Sequence, residues 1–137
     1  MKLSPVAFVA KPALLDALKV VAAEVHCAEE RELFAQGDEP KGVYIIRGGD
    51  IRLTLVSPTG KEVATATAEP NSLLGLPAVV GRTPYSLSAL AGAGSKVGFV
   101  SSDLFLDLMQ SNAIVSMHVL EVLAAEVRAA RQGMLEQ

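Results

Sequence analysis

Two adjacent side chains, His26 and Cys27, are the first candidates for chemistry, because imidazole and thiolate groups bind metals. The only other histidine is His118, and Cys27 is the only cysteine. A histidine-rich metal site or an iron–sulfur cluster, which takes about four thiolates, would need more ligands. We place both residues at a helix end, where neighbours in sequence do not share a face. We therefore predict no metal site and structural roles for both, and the redox activity of Cys27 stays open.

The sequence also lacks the common catalytic motifs. It contains no Gly-x-Ser-x-Gly elbow and no glycine-rich phosphate loop ending in Lys-Ser or Lys-Thr. We predict a protein that is not an enzyme and has no catalytic residue.

The composition is typical of one globular domain. Half of the 137 residues are hydrophobic and 20% are charged, which suffices for a proper core. Twelve basic and 15 acidic residues give a net charge of −3, which argues against a nucleic-acid-binding surface. No apolar run approaches the ~20 residues of a membrane span, and a single cysteine suits a reducing compartment. We expect a cytoplasmic protein that does not contact the membrane.

Helical periodicity marks both ends of the chain. Apolar residues recur at helical spacing over residues 11–24, behind a proline suited to a first turn. Near the other end, Ser102 resembles an N-cap. The short helix after it has an inward face made of Leu104, Phe105 and Leu108. A last, long helix is predicted from about residue 111.

The middle of the chain alternates short β-branched stretches with turn residues, as antiparallel strands do. Strands are predicted near residues 43–47, 51–55, 61–67, 86–90 and 96–100. This order predicts an α+β fold, an antiparallel β-roll (double-stranded and jelly-roll-like) with an N-terminal helix and a long C-terminal helix. We divide this single domain into an N-terminal helical segment, the β-roll and the C-terminal helices, at residues 1–30, 31–100 and 101–137.

Residues 33–51 (LFAQGDEPKGVYIIRGGDI) resemble the opening of cyclic-nucleotide-binding domains. In that family a Gly-Asp/Glu turn leads to an apolar-Tyr-x-Ile strand and a glycine hairpin. Here Gly37 and Gly48 stand where the chain must reverse, which glycine does without steric cost. Tyr44 and Ile46 share one face of the strand between them.

A second block, residues 73–80 followed by 84–89, is similar to the phosphate-binding cassette of the same family. More narrowly, it resembles the Crp/Fnr group of bacterial regulators, whose sensor domain is followed by a long dimerisation helix. The resemblance covers roughly residues 31–131. It makes the following residues candidates for ligand binding: Leu74, Gly75, Leu76, Arg82, Ser86, Leu87, Ser88 and Ala89.

The cassette departs from the pattern of family members that bind cyclic AMP, Gly-Glu-apolar and then Arg-Ser/Thr-Ala about ten residues later. Leu76 stands at the position of the glutamate that accepts a hydrogen bond from the ribose hydroxyl. The next residue, Pro77, has no backbone N–H to donate. If Ala89 is aligned with the alanine of the family pattern, Leu87 stands in place of the phosphate-binding arginine. An ungapped count from Gly75 puts Ser86 at that position instead. A charge-assisted hydrogen bond contributes about 1.5–3 kcal/mol. Without both groups we expect weak or no cyclic-nucleotide binding, and no cofactor.

Arg82, in the loop between the cassette halves, is the one cation that could replace the missing arginine. We favour a solvent-exposed loop arginine beside a turn proline. A genuine cyclic-nucleotide receptor using Arg82, or Ser86 and Ser88, stays open as an alternative.

The last helix carries two apolar sets. One of them, near its N-terminal half, suits packing on the β-roll. The other follows the alternating three- and four-residue steps of a coiled coil, which predicts a parallel homodimer. Its members are Leu120, Leu123, Val127, Ala130 and Met134.

The resemblance thus implies a Crp/Fnr-like sensor domain with a degenerate cassette, part of or derived from a transcriptional regulator, with an unknown small-molecule effector. No helix-turn-helix follows the last helix in these 137 residues, so we expect no direct DNA binding. The alternative from another class is a ligand-free dimerisation or protein-interaction module.

Overall fold

The computed structural model describes residues 2–135, which form helices at both ends of a β-roll. A short 3-10 helix (Pro5–Phe8) precedes α1 (Pro12–Lys19). Eight strands follow: β1 (Ala23–Cys27), β2 (Arg31–Phe34), β3 (Gly42–Gly48), β4 (Ile51–Val56), β5 (Glu62–Thr67), β6 (Leu73–Leu74), β7 (Ser88–Ala91) and β8 (Ser95–Ser101). The remaining helices are α2 (Leu76–Gly81), between β6 and β7, and then α3 (Ser102–Ser111) and α4 (Ala113–Leu135). No helix within residues 2–135 is long and apolar enough to cross a membrane.

The strands make two four-stranded antiparallel sheets, in the orders β1-β8-β3-β6 and β2-β7-β4-β5. Side chains of both sheets meet in one cluster, the roll core, which includes Tyr44 and Ile46 of β3 together with Ile51 and Leu53 of β4. The predicted α+β roll with a long C-terminal helix is confirmed.

A second cluster, the helical core, lies on the other face of β3. Val43 and Ile45 point there and pack with Leu14 of α1, Phe105 of α3 and Val119 of α4, all of which are fully buried. Because β3 is covered on both faces, nearly all of its residues are apolar. The predicted alternation, with Tyr44 and Ile46 on one face, is correct.

The N-terminal helix is shorter than predicted, and the prediction over residues 11–24 is wrong beyond Lys19. Residues 23–27 form β1 instead, paired with β8 from Ala23↔Phe99 to Cys27↔Ser95. Val25 and Cys27, two residues apart, both pack on the roll core, which is strand periodicity. The β-roll therefore begins at Ala23, inside the N-terminal segment of residues 1–30 that is predicted to be helical.

Three details at the C-terminal end also differ. The N-cap of α3 is Ser101, whose Oγ accepts a hydrogen bond from Leu104 N at 3.3 Å, and not Ser102. Phe105 faces inward as predicted, but Leu104 is 49% exposed. The last helix begins at Ala113 because the Asn112 side chain caps it.

Candidate ligand-binding site

Gly75 positions the cassette at the start of α2. Its φ of +98° is left-handed, which glycine adopts without strain. A Cβ at this position would lie 2.9 Å from the Tyr85 ring and 3.1 Å from the Gly42 carbonyl oxygen. Glycine is therefore required for conformation and for the close approach of these neighbours.

Leu76 serves the helical core. Its side chain is fully buried there beside Val79, while Leu74, two residues earlier, packs in the roll core. At the position where the family resemblance puts a ribose-binding carboxylate, this chain has an apolar packing residue. Leu76 gives a ligand no hydrogen-bond acceptor.

The space beside α2, here named the cassette cleft, is filled by aromatic rings. Phe34 and Tyr85 stack with ring centroids 4.1 Å apart and an angle of 20° between their planes. The Tyr85 hydroxyl donates to Gly42 O at 2.7 Å and accepts from Gly42 N at 3.2 Å. With Phe8 also lining the cleft, an open volume of about 20 Å³ remains. That is about the space of one water molecule.

The second half of the cassette offers no cation. Ser86 and Leu87 line the cleft, but the Ser88 hydroxyl already accepts a hydrogen bond from Gln36 N at 2.8 Å. Ala89 is fully buried in the roll core. Neither Ser86 nor Leu87, the two residues aligned with the phosphate-binding arginine, carries a charge.

Arg82 caps the C-terminal end of α2 in a left-handed conformation, with φ at +55°. Its side chain is exposed and does not line the cleft. No described residue forms an ion pair with it. This is the solvent-exposed loop arginine that the sequence favours.

Glu126 is the charged residue of the cleft that the sequence analysis missed. It reaches the cleft from α4, and its Oε2 atom is buried with no hydrogen-bond partner among the described residues. Burial raises the pKa of this carboxyl to about 7. Its spacing gave a signal, since residue 126 follows the buried Val115, Val119 and Val122 at helical steps.

The electrostatics of the cassette cleft therefore oppose an anion. A cyclic phosphate needs a cation or clustered N–H donors, and the ionisable group at this cleft is an acid. A negatively charged ligand would meet Glu126 either as a repelling carboxylate or as a neutral acid that must stay protonated.

His26 and Cys27 lie on β1 and not on a helix end. Cys27 is buried and free. Within residues 2–135 no group of three His, Cys, Asp or Glu side chains could hold a metal ion.

The predicted dimer stripe of α4 is only partly exposed. Leu120, Val127 and Met134 are 52%, 50% and 63% exposed, and Ala130 is exposed as well. Leu123 is half-buried and packs on the helical core of its own chain. The exposed apolar row also includes Met117 and Ala124, which continue the three- and four-residue steps. We call the row formed by Met117, Leu120, Ala124, Val127, Ala130 and Met134 the α4 seam.

Three solved structures resemble the chain over most of its length. The catabolite activator protein of Thermus thermophilus matches with a TM-score of 0.78 and 22% identity, over 96% of this chain and 62% of that protein. The N-terminal domain of a transcriptional regulator from Streptomyces coelicolor A3(2) matches with a TM-score of 0.66 and 22% identity, over 90% and 87%. The sensor domain of the regulator DNR from Pseudomonas aeruginosa matches with a TM-score of 0.66 and 20% identity, over 89% and 82%. At these identities the likeness establishes the fold. No curated protein matches the chain.

The fold is a β-roll like that of the catabolite activator protein and of the DNR sensor domain. The cyclic nucleotide-binding domain model matches residues 24–112, more than half of the chain. The chain belongs to that family.

Proposed function

We propose that this domain is a regulatory module of the Crp/Fnr kind that has lost cyclic-nucleotide binding and acts as a homodimer within, or derived from, a transcriptional regulator. The observation that carries the proposal is the cassette cleft. Its open volume is about 20 Å³, and the carboxylic acid Glu126 lines it without an accompanying Lys or Arg among the described residues.

Steric and electrostatic reasons for losing the nucleotide act together. A nucleotide needs a pocket of at least a few hundred Å³, which here would require the Phe34–Tyr85 stack to separate. The Tyr85 hydroxyl is held to Gly42 by two hydrogen bonds, so separation would break both. Leu76 and Leu87 would not compensate for these lost hydrogen bonds, since neither side chain can bind a ribose hydroxyl or a phosphate.

The dimer proposal rests on the two faces of α4. One face is buried on its own chain, whereas the α4 seam is apolar, lies exposed and has coiled-coil spacing. A single helix with two apolar faces needs two partners, and a second copy offers a matching seam by symmetry. With a net charge of −3, this domain has no excess of cations for DNA phosphates.

A thermal-denaturation series tests the loss of nucleotide binding. At about 1 mM cyclic AMP or cyclic GMP, a Kd of about 10 μM would add about 2.7 kcal/mol of stability and raise Tm by several degrees. We expect no shift with either nucleotide, for the wild type and equally for Glu126→Gln, because removing the acid restores neither the space nor the cation. A saturating rise in Tm with either nucleotide would refute the proposal.

A ligand-free dimerisation module is the second candidate function, and the aromatic filling of the cleft favours it. Such a module would have no small-molecule site in the domain, whereas an effector-binding module would have one outside the cassette cleft.

A further inference from the structure

A cavity of about 260 Å³ lies beside the cassette cleft, between the N-terminal segment, the β-roll and α4. We call it the N-terminal cavity. Leu3 and Phe8 wall it on one side, Leu55 and Leu87 on the second, and Glu126 and Ala129 on the third. It is therefore mostly apolar and is bounded by three different parts of the chain.

The cavity has the size of a small ligand. A cavity of about 150 Å³ lined by apolar side chains holds benzene, and drug-sized ligands need roughly 300–1,000 Å³. A volume of 260 Å³ fits one ring with a short side chain and is too small for a nucleotide.

Glu126 supplies the polar contact. Glu126 lines both the cleft and the cavity, and its buried Oε2 atom has no hydrogen-bond partner among residues 2–135. Lys2, which is exposed, is the other charged residue lining the cavity, and it makes no hydrogen bond to that oxygen. The residues that line the cavity from the β-roll are Leu55 of β4 and Ser86 and Leu87, which precede β7, and none of them carries a charge.

We propose that the N-terminal cavity binds a small molecule with an apolar body and one protonated amine, which donates to the Glu126 carboxylate. The apolar walls take the ring, and the ammonium group gives the buried oxygen the partner that it lacks. A ligand at this position would contact α4 next to the α4 seam, since Ala130 also lines the cavity, and would link the N-terminal segment to the helix proposed to dimerise.

The binding should depend on pH because the site needs the ionised acid. Burial holds the pKa of Glu126 at about 7 in the free protein, whereas an alkylamine resembles lysine and stays charged below pH ~10. Between pH 8 and pH 5.5 the ionised fraction of such an acid falls about 30-fold, and the affinity for the amine should fall by the same factor.

An NMR titration with 2-phenylethylamine, taken to about 10 mM because so small a ligand gains little binding energy, tests the proposal. We expect saturable shifts of the amides of Ala7, Leu87 and Ala129, about 30-fold weaker binding at pH 5.5, and weaker binding still for the anion 3-phenylpropionate. No saturable shift at these amides would overturn the proposal. Equal affinity for the uncharged 2-phenylethanol would overturn the amine as the ligand class.

Matched variants locate the contact. Glu126→Gln should lose the preference for the amine and the pH dependence, whereas Glu121→Gln, on the same helix but bonded to Lys11 and His118, should keep both. Unchanged amine affinity in Glu126→Gln would also overturn the proposal. The test is independent of cyclic-nucleotide binding, which has its own readout.

Discussion

Leu76 and Leu87 stand at the positions from which a cyclic-nucleotide-binding domain would offer a carboxylate and a guanidinium group, and here both pack. Leu76 is fully buried in the helical core, and Leu87 packs on the roll core beside the cleft. Glu126 adds an acid to the lining of the same cleft. Leu76, Leu87 and Glu126 therefore make this site apolar and acidic, whereas the family pattern implies a site for an anion.

The Glu126→Gln variant should stabilise the protein at high pH. The carboxyl has a pKa of about 7 when folded and 4.5 as its ordinary value, so the folded state binds the proton more tightly. The contribution of Glu126 to the free energy of unfolding is therefore fully present below pH 4.5 and is lost as the pH rises through 7. The difference corresponds to about 3 kcal/mol.

Urea denaturation measures this effect. We expect Glu126→Gln to exceed the wild type by about 3 kcal/mol at pH 8 and by less than about 1 kcal/mol at pH 5. A difference between the two proteins that does not change with pH would contradict the raised pKa.

Gly75→Ala should destabilise the protein more than Gly60→Ala. Both glycines have positive φ, at +98° and +85°, so both variants carry about 1 kcal/mol of backbone strain. Only at Gly75 does the new Cβ meet the Tyr85 ring and the Gly42 carbonyl, while at Gly60 nothing lies within 4 Å. We expect a further loss of about 1–3 kcal/mol for Gly75→Ala in denaturant titrations, and equal losses would contradict the close packing.

At the element scale, α4 is the helix with two tasks. Its buried row holds the β-roll through Val115, Val119 and Val122, while the α4 seam faces outward. The same helix carries Glu126 into the cleft, so the proposed ligand site and the proposed dimer contact share one helix.

Val127→Glu should break the proposed dimer. A charge at the centre of an apolar seam would be buried unpaired in both copies, at a loss of several kcal/mol that raises the dimer dissociation constant more than about 100-fold. Ile114→Glu is the matched control, because Ile114 is 69% exposed and apolar on the same helix but lies outside the α4 seam. Sedimentation velocity at micromolar concentration should give a monomer for the first variant and a dimer for the second, and a dimer for both would contradict the α4 seam.

The elements could be predicted where the pattern was unambiguous. β3 is apolar on both faces and ends at a glycine turn, and residues 43–47 were enough to predict the strand and the face on which Tyr44 and Ile46 lie. The apolar spacing of residues 21–25 fitted a helix as well as a strand. Only the pairing of β1 with β8, about 70 residues away in the chain, decided for the strand.

At the scale of the whole molecule, the cleft depends on contacts that no local pattern contains. The Phe34–Tyr85 stack joins residues 51 positions apart, and Glu126 comes from a third part of the chain. From the sequence the loss of the ribose-binding acid at residue 76 and of the phosphate-binding arginine at residue 87 was predictable, because it is a matter of residue type. The filling of the space and the raised pKa were not, because both depend on packing.

The mass of the protein in solution should show directly whether it forms the proposed homodimer. We expect light scattering of the wild type at micromolar concentration to give twice the chain mass of 14.3 kDa, since exposed apolar surface of coiled-coil spacing is stable in water only when covered. A clean monomer at that concentration would contradict the homodimer.

We propose above that this member of the cyclic nucleotide-binding family does not bind a cyclic nucleotide. Isothermal titration calorimetry with cyclic AMP and then cyclic GMP tests it most directly, at pH 5 as well as pH 8 so that Glu126 is sampled protonated and ionised. We expect no saturable heat of binding for either nucleotide at either pH. A saturable isotherm with a micromolar Kd would contradict it.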